Sequence, residues 1–313
     1  MLKKLCAIFV VLLITFSVFA TNKSGRFSQV LTIEEGYLNL FYIDLDVPEG
    51  SKDKSGDATL IITPDDKVVL LDCGHPDSYK DTELVLDTLG IKRIDLFINS
   101  HPHIDHLGAF PEIAKKYQVA EVIRSSVDYS QSSYYRAFID SIKKRGIKDT
   151  IVKEGDEFNI GAYVNVKVYN PPAVIEYPDG YPNGSTQFLN NNSLALKFTY
   201  GDTVYLSCGD LYLTGEKEIV KKYPGELKAD IIKANHHLID TSNQSRWVKA
   251  TKPKVVIAMN DTIGSMSVYQ RYVKAGATVY HTLHNGVIKV VLDDKQNIKV
   301  VTQFDSWVEE GNI

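Results

Sequence analysis

Three histidines and an aspartate fall within six residues directly after a short apolar run, and no other segment restricts the fold of this chain so much. The segment reads Ser100-His101-Pro102-His103-Ile104-Asp105-His106-Leu107-Gly108 and follows Leu96–Ile98. His101 and His103 are two apart, so a locally extended backbone points both imidazoles the same way. Asp105 and His106 follow within one tight turn and face a second point close by. This nitrogen and oxygen donor set suits zinc, manganese or iron. A lone histidine is more often an ordinary core or surface residue, but these four side chains at one strand end point to metal binding.

Around this segment, β-rich runs alternate with amphipathic helical patterns. Strands are predicted at Leu40–Asp44, Thr59–Thr63, Val68–Asp72, Leu96–Asn99 and Val119–Ile123, and helices at Thr82–Leu89, Pro111–Tyr117 and Tyr134–Lys144. The second half opens with a strand at Val164–Tyr169. A hairpin then pairs Ser193–Thr199 with Thr203–Ser207 across Gly201-Asp202, a good turn pair between β-rich arms. Later strands are expected at Asp230–Lys233, Lys254–Ala258, Ala277–Tyr280, Val287–Leu292 and Ile298–Gln303, with helices at Gly215–Lys222, Asn243–Thr251 and Val268–Ala275. Two β-rich halves with intervening helices suit two packed sheets flanked by helices, an α/β layering. Val47–Asp57, rich in Lys, Asp, Ser and Gly, reads as an exposed connection. Asn170–Asn192 reads as a long loop whose Tyr177, Tyr181 and Phe188 offer an aromatic wall.

The first twenty residues stand apart. Lys3 and Lys4 precede the apolar stretch Leu5–Phe19, and Val18 with Ala20 forms a small-residue cleavage pattern. These are the marks of a secretory signal peptide, and the run is short for a stable membrane span. Residues 21–313 are then expected to form one hydrolase domain, secreted or held at the cell surface. Removing two lysines makes the mature chain more acidic than the full-length net charge of −4. That balance gives no bulk attraction to nucleic acid or to an anionic membrane. Export would permit a Cys73–Cys208 disulfide, but two buried thiols are the favoured reading because disulfide geometry is demanding.

The histidine–aspartate segment resembles the signature of the metallo-β-lactamase superfamily, and further matches follow in order. Val69–Gly74 reads Val-Leu-Leu-Asp-Cys-Gly, Leu206–Leu211 reads Leu-Ser-Cys-Gly-Asp-Leu, and Ala229–His237 reads Ala-Asp-Ile-Ile-Lys-Ala-Asn-His-His. The resemblance implies a four-layer αββα sandwich with metal at one edge, and a secreted metal-dependent hydrolase using a metal-bound hydroxide. Many members carry a further metal histidine before the bridging aspartate. Here that region is Asn190-Asn191-Asn192-Ser193 and has none. This version, with the His-His pair and Ser55-Gly56-Asp57, is similar to the group containing the hydrolase domain of DNA-uptake channels and phosphorylcholine esterase.

The resemblance implies that His101 and His103, with Asp210, hold one metal, and that Asp105, His106 and either His236 or His237, again with Asp210, hold another. Neighbouring strand residues face opposite sides, so one of the two late histidines is expected to bind. Asp105, Asp210 and His237 are the expected catalytic residues, and zinc the expected ion, one or two per chain, with manganese or iron as substitutes. Asp72 is placed behind a ligand histidine, and Asp57 either does likewise or caps a turn. Asn191, His75 and His284 are further candidates beside the substrate, although His75, His281 and His284 read more readily as structural histidines. The expected substrate is a small-molecule or wall-polymer phosphoester of phosphodiester or phosphorylcholine type. Nucleic acid is less favoured because a non-specific nuclease profits from phosphate-tracking cations. Tyr177, Tyr181 and Tyr212 are candidates to box a quaternary amine. Two alternatives stand beside this reading: a lactone, β-lactam or thioester hydrolase, and a non-catalytic, metal-stabilised surface-binding module.

Overall fold

The computed structural model describes residues 27–48, 54–175 and 184–304. The proposed signal peptide, Tyr177 and Tyr181 lie outside that range.

Period-two alternation along the early strands decides the layering. In Leu38–Tyr42, the side chains of Leu38, Leu40 and Tyr42 enter one buried cluster while Phe41 enters another. Thr59–Ile62 repeats the pattern, with Ile61 on one side and Leu60 and Ile62 on the other. A strand apolar on both faces must be covered on both faces. The sheet carrying these strands has eight strands, in the spatial order Ile298–Thr302, Ile288–Leu292, Leu38–Tyr42, Thr59–Ile62, Val68–Leu71, Leu96–Ile98, Glu121–Arg124 and Lys148–Ile151. The second sheet has seven, ordered Thr278–His281, Val255–Ala258, Ile231–Lys233, Thr203–Ser207, Ala195–Tyr200, Val164–Asn170 and Glu157–Ile160.

Between the sheets, Leu40, Val69 and Ile98 of the first meet Val166, Phe198 and Ile231 of the second. The helices Tyr79–Thr88, Phe110–Lys116 and Ser133–Arg145 cover the first sheet with Leu86, Ile113 and Phe138. On the second sheet lie Leu213–Lys222, Ser245–Thr251 and Met266–Lys274, through Ile219, Trp247 and Tyr272. The result is the αββα sandwich. At roughly 1.5–3 kcal/mol for each fully buried large apolar side chain, these three clusters are the main favourable term in its stability.

Some expectations need correction. Val119–Ile123 is not one strand: Gln118–Val119 pairs with Arg93–Ile94, while Glu121–Arg124 joins the large sheet. Asn170–Asn192 is not wholly a loop, since Thr186–Asn191 is helical and Ser185 caps it by accepting from Phe188 N at 3.2 Å. Val47–Asp57 is not exposed throughout, for Ser55 and Asp57 are buried. Cys73 and Cys208 are buried free thiols. Among the described residues no helix is long and apolar enough to cross a membrane.

Candidate metal centre

Parallel strands bring their C-terminal ends to one edge of the sandwich. Leu71 is paired with Ile98, so Asp72 and the Ser100–His106 segment leave the first sheet side by side. Leu206 is paired with Ile232, so Asp210 and the Asn235–Leu238 turn leave the second sheet likewise. Crevices at such strand ends are where open α/β sheets bind ligands.

Asp105, His106, Asp210 and His237 converge there, each offering a ligand atom within 4.8 Å of the others. Asp210 Oδ2 is the hub. It lies 3.4 Å from His106 Nε2, 3.2 Å from His237 Nε2, 3.8 Å from His236 Nε2 and 3.9 Å from His101 Nε2. Asp105 Oδ2 stands 3.3 Å from His237 Nε2 and 3.7 Å from His106 Nε2. The Nε2 atoms of His106 and His237 are buried and make no hydrogen bond among the described residues. Two imidazole nitrogens converging on two carboxylates, with nothing else to satisfy them, fit a divalent cation. His101 and His103 lie against this group rather than in it, with His101 Nε2 2.9 Å from His103 Nδ1.

The rear of the site holds these groups in place. Asp72 accepts from Ser100 N at 2.8 Å and Ser100 Oγ at 2.6 Å, and stands 2.8 Å from His106 Nδ1. That contact directs His106 Nε2 toward the cluster. His237 Nδ1 is 3.0 Å from Met259 O and 3.2 Å from Asp57 Oδ1, which does the same for His237. Asp57 therefore acts behind His237 rather than as a turn cap. A second donor group, Asp57, Asp72 and His106, also lies within 4.8 Å. Lys233 Nζ pairs with Asp57 Oδ2 there and reaches Asp210 Oδ1 at 3.4 Å, so this group already holds a cation. Gly56 makes the approach feasible. Its φ is +87°, and a Cβ there would collide with the Asp105 carbonyl oxygen.

His236 and His237 do not sit on a strand. Their φ values are 46° and 53°, and Leu238 continues at 65°. This left-handed turn, rather than strand alternation, separates their roles. Asn243 clasps it, accepting from Asn235 N at 3.1 Å and donating to Asn235 O at 2.9 Å. Glu216 binds Asn235 Nδ2 at 2.8 Å as well as the Asn243 backbone N–H. His236 then faces Thr241 through Nδ1 and Lys54 Nζ, 3.1 Å away, through Nε2.

Burial disfavours the His106 cation, but the carboxylates of Asp210, Asp105 and Asp72 outweigh it and hold the group well above its ordinary value. Burial likewise opposes the His237 cation, yet Asp210 and Asp57 raise it to about 10. Burial alone would raise Asp210, but His237, His106, His236 and Lys233 bring it well below the usual carboxylate range. The buried carboxylates thus favour positive charge at this cluster. His101 is lowered, first by burial and then by neighbouring histidines.

Two of the remaining candidates have structural work. His75 Nδ1 accepts from Asp77 N at 3.2 Å and starts a helical turn. Asn191 Oδ1 accepts from Gly215 N at 3.0 Å, tying two helices together. His284 is half-buried, with its ring 5.8 Å from that of His281. Sequence reasoning overlooked Lys233, although a lysine ending the apolar run Ile231-Ile232 was a signal. It also overlooked Lys54 and Ser100.

An αββα sandwich with histidines and carboxylates at the strand ends defines a class of metal-dependent hydrolases. Residues 52–258 match the sequence profile of the Metallo-beta-lactamase superfamily, and the chain belongs to that superfamily. Among curated relatives, ComE operon protein 3 of Bacillus subtilis is 27% identical over 185 residues, covering 58% of this chain and 22% of that protein. Competence protein ComA of Neisseria gonorrhoeae is 22% identical over 177 residues, covering 55% and 21%. The match thus spans only about a fifth of the length of these relatives. The diiron beta-hydroxylase CmlA of Streptomyces venezuelae has a TM-score of 0.47 and 14% identity over 84% of this chain and 55% of its own.

Proposed function

We propose that the chain is a secreted, zinc-dependent phosphoesterase acting on a small-molecule or wall-polymer phosphoester. The observation that carries the reading is the convergence of Asp105, His106, Asp210 and His237 with two buried, unpartnered Nε2 atoms directed into the group. Two nitrogens and two carboxylate oxygens suit tetrahedral zinc, with His101, His103 and Asp210 available to a second ion. When bound, the metal acidifies a water and draws charge from the scissile group.

The protein's own residues supply the geometry. Asp72 and Asp57 fix the two imidazoles, and Lys233 holds Asp210 Oδ1. The phosphoester preference is supported by the asparagine run at 190–192, where members acting on carbon esters usually carry a histidine. The acidic balance favours a small or polymer-borne phosphoester over nucleic acid. Secretion is supported by the N-terminal lysine pair and apolar run.

The test pairs elemental analysis with turnover of bis-p-nitrophenyl phosphate and nitrocefin, comparing the wild type with Asp210→Ala. Bound zinc and diesterase activity should fall together in the variant. Hydrolysis of nitrocefin alone would reject the phosphoester reading, and full metal content in Asp210→Ala would reject the site.

A further inference from the structure

Two lysines reach the metal-binding cluster, and their surroundings differ. Lys233 is buried and paired with Asp57 and Asp210, so its charge is matched. Lys54 is half-buried, and among the described residues its ammonium contacts no carboxylate. Its described contact is His236 Nε2 at 3.1 Å. An ammonium only donates, so Nε2 accepts and the proton of the neutral ring lies on Nδ1, which faces Thr241 Oγ1. Thr241 is itself anchored through its carbonyl to Leu213 N at 2.9 Å, and the Tyr212 ring packs 4.8 Å from that of His236. His236 therefore works as a post holding the lysine. The same Nε2 atom is 3.8 Å from Asp210 Oδ2, so Lys54 stands one imidazole edge away from the metal-binding carboxylate.

We propose that Lys54 is the anion-binding residue of this site, taking a non-bridging oxygen of the substrate's phosphoryl group through the ammonium protons that His236 leaves free. The proposal rests on the phosphoesterase reading and deepens it. Among the described residues no carboxylate meets the Lys54 ammonium directly, and a phosphoryl oxygen is an anionic acceptor of the kind that would. An ammonium serves as a point charge for phosphate and does not need the two-pronged geometry of a guanidinium. His236 then acts as a positioning residue for Lys54.

The experiment is calorimetric titration of inorganic phosphate into the zinc-loaded full chain, comparing the wild type, Lys54→Ala and Lys54→Arg. Zinc content and melting temperature are measured on each. Lys54→Ala should keep its zinc and its melting temperature and bind phosphate about tenfold more weakly. Its affinity should also respond less to added salt, because one charge contact is gone. Lys54→Arg should recover most of the affinity. Under bis-p-nitrophenyl phosphate turnover, KM should rise in Lys54→Ala more than kcat falls. Phosphate affinity unchanged in Lys54→Ala at equal zinc content would overturn the proposal. A wild type that binds phosphate through Lys54 but turns over no phosphoester would instead reject the phosphoesterase reading while leaving the anion site standing.

Discussion

Asp72→Asn isolates the part played by the residue behind His106. The substitution keeps the shape of the side chain, and its left-handed φ of 56° is one that asparagine adopts readily. What changes is the hydrogen-bond inventory. Asp72 Oδ1 receives Ser100 N at 2.8 Å and Asn99 Nδ2 at 3.3 Å, and Oδ2 receives Ser100 Oγ at 2.6 Å and faces His106 Nδ1 at 2.8 Å. Burial pushes this carboxyl up, while His106 and Ser100 pull it down. An amide has one oxygen, so either orientation turns an N–H toward groups that donate. Leaving such donors unmatched costs on the order of 1–3 kcal/mol of stability. Loss of the partner that orients a ligand histidine weakens metal binding about 10–100-fold, or roughly 1.4–2.7 kcal/mol. Zinc affinity is read by competition with a chromophoric chelator at pH 7, and folding by the melting temperature of the metal-free protein. Both should drop. A folded variant that binds zinc within about twofold of the wild type would refute the idea that Asp72 sets the direction of His106.

Two further outcomes follow from the same geometry. The folded pKa of His237 is raised to about 10, so its proton stabilises the metal-free protein fully below the unfolded histidine value. That contribution is lost as pH rises toward 10, while zinc, which competes with the proton, binds more tightly over the same span. Thermal melts and chelator competition between pH 6 and 9 should therefore move in opposite directions, and parallel trends would contradict the assignment. Gly56→Ala forces a Cβ into the Asp105 carbonyl oxygen at a φ of +87°. It should cost more than about 2 kcal/mol in a denaturant melt and lower zinc content, the backbone strain alone being about 1–2 kcal/mol.

The sequence disclosed most of the layering because the strands are apolar on both faces or alternate cleanly, as Leu38–Tyr42 and Thr59–Ile62 do. The edge strands Lys148–Ile151 and Glu157–Ile160 escaped notice: the first is charged and mostly exposed with no apolar period, and the second alternates over four residues only. At the site, spacing alone identified His101 to His106 as a cluster, because the residues are neighbours in the chain. Spacing could not separate His236 from His237. That choice depends on three successive left-handed residues held by Asn243, just past the turn, and by Glu216 from an earlier helix, neither of which carries a signature of that role. Lys233 was hidden for a similar reason: its partners, Asp57 and Asp210, come from different parts of the chain.

The pairing of Leu38–Tyr42 with Ile288–Leu292 sets an early strand beside the last but one of the described strands in the larger sheet. An early strand apolar on both faces must therefore wait for one of the last before its hydrogen bonds are complete. During synthesis Thr59–Ile62 can cover one edge of Leu38–Tyr42 early, but the other stays unpaired, so a nascent chain stalled before Ile288 would be open to mispairing along that edge.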